Sequence, residues 1–417
     1  MQVFTVAIIG CGNRGAEAYG ALIHARPEQF RIVALCESNP EKLNKYGERF
    51  GVGARFESEE EFFREKRADL LVIATMDADH VRQGVKALSL GYDLLLEKPI
   101  SSKRKECEQL LKAQRKYGGK VLVCHVLRYA PGFLKAAELL NEGAIGRLVS
   151  IQALEQVMYW HQAHSYVRGN WRRTKDTAPM ILAKCCHDLD LLQYYAKSRC
   201  KSISSVGELT FFTPENAPKG AAKRCADCSL IETCPYSAKR IYVDMWHEEG
   251  CLATVWPHNQ ITTAYPITDE ALYKAIEEGP YGRCAFACDN DAVDHQLTQM
   301  TFENGVKAEL LMTAFTAKGG RIYKFFGTLG EMVLNEEEDE ITVKPFGGEV
   351  RVIPIKPLIE GGYGHGGGDS GLIAQLYDIL TGKGTNETTL EASVESHLMG
   401  ICAEQSRLAG GKLVYLH

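Results

Sequence analysis

The sequence lacks the features that mark membrane-spanning, nucleic-acid-binding and disordered proteins. None of its apolar runs approaches the roughly 18 residues that cross a bilayer. The formal net charge is −5, so no basic excess favours nucleic acid or an anionic membrane. Internal repeats and low-complexity tracts are absent, and 45% hydrophobic with 24% charged residues is typical of globular chains. We expect about two or three globular domains in the 417 residues, with a small-molecule partner.

The first residues also lack the pattern of a signal peptide. Residues 3–9 are apolar, but no basic segment precedes them and no small-residue cleavage site follows. We therefore expect a buried strand there and a cytoplasmic protein. Fourteen cysteines are many for a reducing compartment, where disulfides are disfavoured. Clustered cysteines are accordingly considered as metal ligands before they are considered as bridges.

A glycine-rich turn follows the first predicted strand, residues 3–9. A helical segment (16–25) and a second apolar strand (30–35) come next, and Glu37 follows that strand. This order is typical of dinucleotide binding, in which the helix N-terminus faces the pyrophosphate. A carboxylate at Glu37 accepts both ribose hydroxyls and repels a 2′-phosphate, which favours NAD over NADP. A turn without a ligand, and Glu37 as a plain surface carboxylate, are the alternatives. The turn residues expected at the cofactor are Gly10, Gly12, Asn13, Arg14 and Gly15.

Strands and helices continue to alternate up to about residue 127. Apolar strands are predicted at 69–74, 92–96 and 120–125, with helices at 80–90 and 103–117 between them. This alternation predicts a parallel, doubly wound sheet, on which ligands lie beyond the carboxyl ends of the strands. The polar residues that follow these strands and are expected there are Thr75, His80, Glu97 and Lys98.

Residues 158–173 are rich in aromatic, His and Arg side chains and show little periodicity. Aromatic rings stack on the C–H faces of sugars, while Arg, Trp and His donate to hydroxyl groups. We predict a loop that binds a polyhydroxylated substrate, with an ordinary packed surface segment as the alternative. The side chains expected at the substrate are Arg128, Tyr129, His164, Arg168, Trp171 and Arg172.

The later part of the chain reads as a run of strands. Residues 298–302 and 306–315 alternate in polarity around Asn304-Gly305, a hairpin signal. Further strands are predicted between 321 and 355, and the acidic run 336–340 is interpreted as a solvated hairpin tip.

Three cysteines are spaced C-x₂-C-x₅-C in an insertion near residues 214–240. A C-x-x-C turn presents two thiolates to one tetrahedral ion, so Cys225, Cys228 and Cys234 predict a structural zinc site. An iron–sulfur cluster and free packing cysteines are the alternatives. The fourth ligand stays open among Cys200, His247, Cys251, Cys284, Cys288 and a water.

Together these motifs resemble the Gfo/Idh/MocA oxidoreductases over nearly the whole chain. The segments that carry the resemblance are the glycine turn, Thr75-x-x-x-x-His80, Glu97-Lys98-Pro99, His187-x-x-Asp190 and Gly327-Thr328-x-Gly330. The resemblance implies an NAD-binding Rossmann domain over 1–127 and a second α+β domain over 128–417. That second domain would be a large, open, mostly antiparallel sheet that binds substrate and forms a homodimer or homotetramer. The last helix would pack back on the first domain.

The resemblance also implies a chemistry. Lys98 would lie beside the nicotinamide and the reacting hydroxyl, His187 would relay the proton, and Asp190 would orient His187. The family's inositol dehydrogenases carry an Asp four residues before this His, where Ala183 stands here. Three functions follow as hypotheses: a sugar dehydrogenase, a redox-neutral NAD-dependent glycosidase that works by oxidation, elimination, water addition and re-reduction, and a non-enzymatic NAD- and sugar-binding regulator.

Overall fold

Two β-sheets organise the structure, a computed structural model that describes residues 2–358 and 364–417. The first sheet has six parallel strands in the order β3-β2-β1-β4-β5-β6. Its strands are β1 (Phe4–Ile9), β2 (Phe30–Cys36), β3 (Ala54–Phe56), β4 (Leu70–Ile73), β5 (Asp93–Leu96) and β6 (Val121–Val123). The helices between them are α1 (Ala21–His24), which continues a wider π-helical segment Asn13–Gly20, α2 (Pro40–Arg49), α3 (Glu59–Phe62), α4 (His80–Ser89) and α5 (Arg104–Tyr117).

The central strands of this sheet are apolar without alternation because helices cover both faces. All four residues of β4 are buried, and so are the three of β6. The carboxyl ends of β1, β4 and β5 therefore lie side by side, which collects the polar residues that follow each strand at one edge.

The second sheet has nine strands in the order β14-β13-β12-β11-β7-β10-β9-β8-β15. Neighbouring strands are antiparallel except for the parallel pair β7 and β10. The strands are β7 (Leu148–Met158), β8 (Cys200–Glu208), β9 (His295–Phe302), β10 (Lys307–Thr316), β11 (Gly320–Gly327), β12 (Gly330–Asn335), β13 (Glu340–Pro345), β14 (Arg351–Pro354) and β15 (Val414–Tyr415). The two sheets together confirm the predicted fold class.

Nine α-helices accompany the second sheet in the described residues. They are α6 (Pro131–Asn141), α7 (Tyr159–His161), α8 (Met180–Ala183), α9 (Cys186–Ala196), α10 (Met245–Glu248), α11 (His258–Ile261), α12 (Asp269–Glu278), α13 (Gly368–Thr381) and α14 (Leu390–Leu408). None of the helices described is both long and apolar enough to cross a membrane.

The last two long helices both contact the domain of the first sheet, and α14 also packs on the second sheet. In α13, the Tyr377 ring packs edge-on against Phe4 and Phe30. Near the end of α13, the carbonyls of Ile379 and Leu380 accept hydrogen bonds from the Lys120 ammonium at 2.8 and 2.7 Å.

The buried His397 on α14 links this helix to the residues after β5. Its Nδ1 donates to the Ser393 carbonyl at 2.6 Å, and its Nε2 accepts from the Ile100 backbone N–H at 2.8 Å. Burial lowers the pKa of His397 to about 3, and the ring is therefore neutral and able to accept. One imidazole thus fixes the distance between α14 and the Lys98 turn.

Replacing this imidazole tests the link. His397→Leu should lower the free energy of unfolding by roughly 1–3 kcal/mol, because the buried Ile100 N–H loses its acceptor. Urea denaturation at pH 7 measures the change. The surface variant His247→Leu is the control and should unfold like the wild type; equal stability of His397→Leu would contradict the role of the link.

Candidate active site

The glycine turn between β1 and the first helix leaves open space on one side only. Gly10 has φ +87°, and a Cβ there would meet the Ala74 carbonyl oxygen at 2.4 Å. A Cβ on Gly15 would lie 1.9 Å from the Gly10 carbonyl oxygen, whereas one on Gly12 would meet no described atom within 4 Å. The first and third glycines are therefore required by packing, and the second faces the space where a pyrophosphate would approach.

The carboxylate of Glu37 lies directly against this turn. Its oxygens accept from the backbone N–H groups of Cys11 at 2.9 Å and Asn39 at 3.0 Å. Glu37 therefore stands at the end of β2, held at the edge of the open space, where a ribose would lie if the turn held NAD.

Arg14 and Glu97 take positions that the sequence did not predict. The Arg14 guanidinium donates to Glu97 at 2.7 Å and to both carboxylate oxygens of Asp369 at 2.6 and 2.9 Å. Glu97 is buried and also accepts from the Tyr19 hydroxyl and from the Lys98 backbone N–H. Arg14 holds the pKa of Asp369 well below its usual range despite burial. Both side chains thus bind each other and hold the turn, rather than presenting free groups to a cofactor.

His80 joins the ends of two strands. Its Nδ1 lies 2.7 Å from the Pro99 carbonyl oxygen and its Nε2 lies 3.2 Å from the Thr75 carbonyl oxygen. The Thr75 hydroxyl donates to Gln83 at 2.6 Å. The buried imidazole therefore positions the segment after β4 against the Lys98-Pro99 segment after β5.

Lys98 and His187 come together at this edge. The Lys98 ammonium donates to the Ala183 carbonyl at 3.3 Å, at the end of α8 and just before the helix that carries His187. Ala183, which stands at the sequence position of the Asp in the inositol dehydrogenase pattern, thus contacts Lys98 through its backbone carbonyl. His187 is 4% exposed, and neither ring nitrogen has a hydrogen-bond partner among the described residues. Burial, and then the Lys98 charge, hold the pKa of His187 well below its usual value.

Asp190, predicted to orient His187, makes no hydrogen bond to it in the described residues. Its two oxygens accept from Arg128 Nε and Nη2 at 2.6 and 2.8 Å in a buried pair. The third nitrogen of Arg128, Nη1, donates to the Glu387 carbonyl at 3.0 Å, and the Tyr129 hydroxyl lies 2.9 Å from that of Thr388. Arg128 and Tyr129 therefore bind neighbouring protein groups, because Asp190 supplies the anion that the buried guanidinium requires.

The predicted substrate loop divides into two parts. The Trp171 indole N–H donates to the buried Asp77 carboxylate, 3.3 Å away, after β4. Burial raises the pKa of Asp77, and the nearby His80 and Lys98 oppose that shift. The other three predicted side chains contact residues between 236 and 289: His164 contacts the Tyr242 hydroxyl, Arg168 the carbonyls of Tyr236 and Arg283, and Arg172 the Asp289 carboxylate.

The structure also contains a charged cavity that the sequence did not predict. The cavity has a volume of about 490 Å³, and its charged lining includes Glu155, Lys184, Arg321 and Glu336. Lys184 lies 3.2 Å from Glu155, and Arg321 lies 2.8 Å from the same carboxylate. His161 also lines this cavity, and its pKa is lowered by burial and then by Lys184, with a further contribution from Lys98.

Two carboxyl groups near Arg321 have pKa values close to neutrality. Burial raises the pKa of Asp188 to about 6, although it accepts from Arg321 at 2.9 Å. Burial raises the pKa of Glu336 to about 7. Glu336 belongs to the acidic run interpreted as a solvated tip, but it turns back against the sheet with 24% of its side chain exposed.

The zinc site predicted for the insertion is not formed. In residues 2–358 and 364–417, no three His, Cys, Asp or Glu side chains are placed to hold one metal ion. The cysteines of the insertion are free thiols. A tetrahedral zinc ion needs its sulfurs to converge on one point at about 2.3 Å, and Cys225, Cys228 and Cys234 do not meet this condition.

Comparison with known proteins defines the class. Residues 4–125 match the sequence profile described as an oxidoreductase family with an NAD-binding Rossmann fold. Residues 133–230 match the profile of the GFO/IDH/MocA C-terminal domain. The chain belongs to the Gfo/Idh/MocA oxidoreductase family.

Individual relatives are distant but extend along the chain. It is 24% identical to YteT of Bacillus subtilis, named as an oxidoreductase, over 90% of this chain and 91% of that one. It is 23% identical to 2,7-anhydro-N-acetylneuraminate hydratase of Mediterraneibacter gnavus over 63% of this chain and 65% of the relative. Among solved structures, levoglucosan dehydrogenase in complex with NADH and levoglucosan is similar with a TM-score of 0.71, 18% identity and full coverage of both chains.

Two glycine substitutions separate folding from cofactor binding. Gly15→Ala should destabilise the protein by about 3 kcal/mol, because its Cβ would overlap the Gly10 carbonyl. Gly12→Ala has space in the protein and should unfold like the wild type while NAD affinity falls about tenfold or more, a loss of roughly 1.4 kcal/mol. Thermal unfolding and calorimetric NAD titration measure the two effects. Unchanged NAD affinity in Gly12→Ala would contradict the assigned approach of the pyrophosphate.

Glu336→Gln tests the raised carboxyl pKa. A carboxyl whose folded pKa is about 7 retains its proton on folding, so its contribution to stability is complete below pH 4.5 and is lost as pH rises through 7. The amide does not titrate. Between pH 5 and pH 8 the variant should therefore gain roughly 2–3 kcal/mol of unfolding free energy relative to the wild type. Urea denaturation at both pH values measures this, with Glu338→Gln on the exposed turn as the control. Parallel pH profiles would contradict the prediction.

Proposed function

We propose that the protein is an NAD-dependent oxidoreductase that transfers hydride between a hydroxyl-bearing carbohydrate carbon and nicotinamide. The observation that carries the proposal is that Lys98 lies near the buried His187, whose ring nitrogens have no partner among the described residues, at the edge where β1, β4 and β5 end. The glycine turn opens at the same edge, and ligands on doubly wound sheets bind there.

NAD is preferred over NADP in this proposal because of Glu37. Its carboxylate is fixed beside the turn by the N–H groups of Cys11 and Asn39 and would repel a 2′-phosphate. The open side of Gly12 and the helix beginning at Asn13 suit a pyrophosphate. When bound, NAD⁺ supplies the acceptor for the hydride.

Lys98 and His187 are the residues that we propose to act on the reacting hydroxyl and its proton. The Lys98 side chain holds the substrate oxygen. His187 is neutral at physiological pH and its ring nitrogens have no partner in the part of the chain that the structure describes, so one of them accepts the proton. Asp190 acts on His187 indirectly. It is paired with Arg128 and lies 3.9 Å from His125, and the His125 ring packs edge-on against His187. Asp190 is therefore proposed as a positioning residue.

The charged cavity supports a carbohydrate as the substrate. Glu155, Lys184, His161 and Arg321 together offer donors and acceptors to several hydroxyl groups, and the Trp171 ring lies beside Asp77 near Lys98. The solved relative named levoglucosan dehydrogenase is bound to levoglucosan, an anhydro sugar, which agrees with this substrate class.

A second candidate is a redox-neutral reaction, such as that of an NAD-dependent glycosidase. In it, oxidation at C3 acidifies the C2 hydrogen, the substituent at C1 leaves by elimination, water adds, and the ketone is reduced again. This cycle needs additional acid–base groups, and Asp188 and Glu336 have pKa values of about 6 and about 7. The relative named as a hydratase is consistent with water addition.

One assay distinguishes the candidates. The purified protein is mixed with NAD⁺ and a panel of sugars, inositols and nitrophenyl glycosides, and NADH and nitrophenol are followed together. NADH formed in proportion to substrate supports the dehydrogenase. Nitrophenol released over many turnovers without net NADH supports the redox-neutral reaction, and NAD binding without any turnover supports a regulator.

Lys98→Met tests the proposed role of the ammonium. The variant should lose turnover by roughly a thousandfold or more, because general acid–base and positioning effects are both removed. NAD binding should persist, since the glycine turn is untouched. Lys103→Met is the matched control, because its side chain is 71% exposed and paired with Glu106, and it should retain full activity. Activity retained by Lys98→Met would remove Lys98 from the reaction.

We also propose a homodimer or homotetramer formed through the outer face of the second sheet. The strand register aligns an apolar row across five strands: Val206, Leu297, Leu311, Leu154 and Ile322. Val206, Leu297 and Leu311 are 50%, 36% and 40% exposed. A contiguous apolar face of this kind marks an interface.

Light scattering tests this interface. Leu311→Glu should shift the particle mass to that of one chain, because a charge would be buried in the row. Leu134→Glu on α6 is the control, since that side chain is 37% exposed on a helix, and its mass should match the wild type. A wild-type protein that is already monomeric would reject the proposal.

A further inference from the structure

We infer that Cys225, Cys228, Cys234 and Cys284 hold an iron–sulfur cluster, at a site separate from the proposed active site. The four cysteines line one cavity between the insertion and the segment before β9. All four are free thiols. Most of the other residues that line this cavity are apolar. Four of the lining side chains are cysteines, so thiolate sulfur is the most numerous potential metal ligand in this cavity.

The backbone brings the two distant segments together. Arg224 and Arg283 pair in an antiparallel bridge. On either side of it, Cys225 N–H donates to the Gly282 carbonyl at 2.8 Å and Cys284 N–H donates to the Lys223 carbonyl at 2.9 Å. A turn then brings Cys228 back, with its N–H 3.2 Å from the Cys225 carbonyl. Main-chain bonds therefore fix the positions of these cysteines before any ligand binds.

Backbone N–H groups point at three of the four sulfurs. Ala238 N–H donates to Cys225 Sγ at 3.3 Å. Burial raises the pKa values of Cys234 and Cys284, while the N–H groups of Tyr236 and Phe286 hydrogen bond to those sulfurs and act in the opposite direction. N–H···S bonds stabilise thiolates and are one means by which proteins tune iron–sulfur clusters.

The buried Arg168 needs an anion that the described residues do not supply. It is 1% exposed, and its Nη1 has no hydrogen-bond partner. Its other donors reach two carbonyls and, at 3.7 Å, Cys225 Sγ. By contrast, the buried Arg128 and Arg321 are both paired with carboxylates. A cluster with four thiolate ligands carries net negative charge and would balance Arg168.

The arrangement favours a cluster over a single ion. Four thiolates around zinc lie about 3.8 Å apart, since each bond is about 2.3 Å in a tetrahedron. Within the described chain no three potential ligands converge in this way. In a [4Fe–4S] cluster each thiolate binds a different iron, so the four sulfurs surround a volume instead of a point.

A cluster at this position would also support the loop that carries Trp171. Arg168 Nε donates to the Arg283 carbonyl at 2.6 Å, and Arg283 Nη2 donates to the Arg168 carbonyl at 2.8 Å. The segment that holds Cys284 is therefore joined to the loop three residues before Trp171.

The test uses the full chain purified without oxygen. Iron, zinc and acid-labile sulfide are quantified, and the visible absorption spectrum is recorded. We expect about four irons and four sulfides per chain, either as purified or after reconstitution with ferrous iron and sulfide. Cys225→Ser and Cys284→Ser should each lose most of the iron and the visible absorption. Cys288→Ser is the matched control, because Cys288 lies four residues from Cys284 outside the lining, and it should retain both.

Three results would overturn the inference. One is about one zinc per chain without sulfide. Another is a protein that binds no iron even on reconstitution while its four thiols react freely, and the third is loss of the cluster in Cys288→Ser to the same extent as in Cys284→Ser. If the serine variants do not fold, the iron and sulfide content of the wild type still decides between these outcomes.

Discussion

One guanidinium, that of Arg14, connects the parts of the molecule on which the proposed chemistry depends. It extends from the glycine turn, binds Glu97 immediately before Lys98, and binds Asp369 at the start of α13. The cofactor turn, the lysine and the carboxy-terminal part of the chain are therefore held by one ion cluster that is mostly removed from water. A charge taken out of water is stable only when it is paired and hydrogen-bonded. Arg14 meets this condition only when all three segments are in place.

Similar pairings recur through the interior, and each one positions a functional region. Arg128 and Asp190 support the helix that carries His187, and Arg321 joins Asp188 to Glu155 in the wall of the cavity. His187 is the contrasting case, because its two ring nitrogens have no partner in the part of the chain described. A buried polar group without a partner destabilises the fold. Its presence beside Lys98 is explained if a substrate hydroxyl provides the missing contact.

The sequence was sufficient for the parts of the fold that depend on local pattern. Buried strands such as β4, the glycine turn and the Asn304-Gly305 hairpin follow from periodicity and backbone sterics, and the family and fold class are confirmed. Side-chain partners that are distant in sequence could not be predicted in this way. Asp369 lies 355 residues from Arg14 in the sequence. Glu336 belongs to a run of acidic residues whose composition predicts a solvent-exposed turn. Arg168 was assigned to a substrate because residue type gives no direction, and in the structure it faces the cysteines.

The most direct test of the central claim follows the hydride itself. The protein is incubated with NAD⁺ and the carbohydrate on which it acts, labelled with deuterium at the carbon that carries the reacting hydroxyl, and the nicotinamide is examined by NMR. We predict that deuterium appears at the nicotinamide ring carbon that accepts hydride. Turnover in which the label stays on the sugar or passes to water would contradict it.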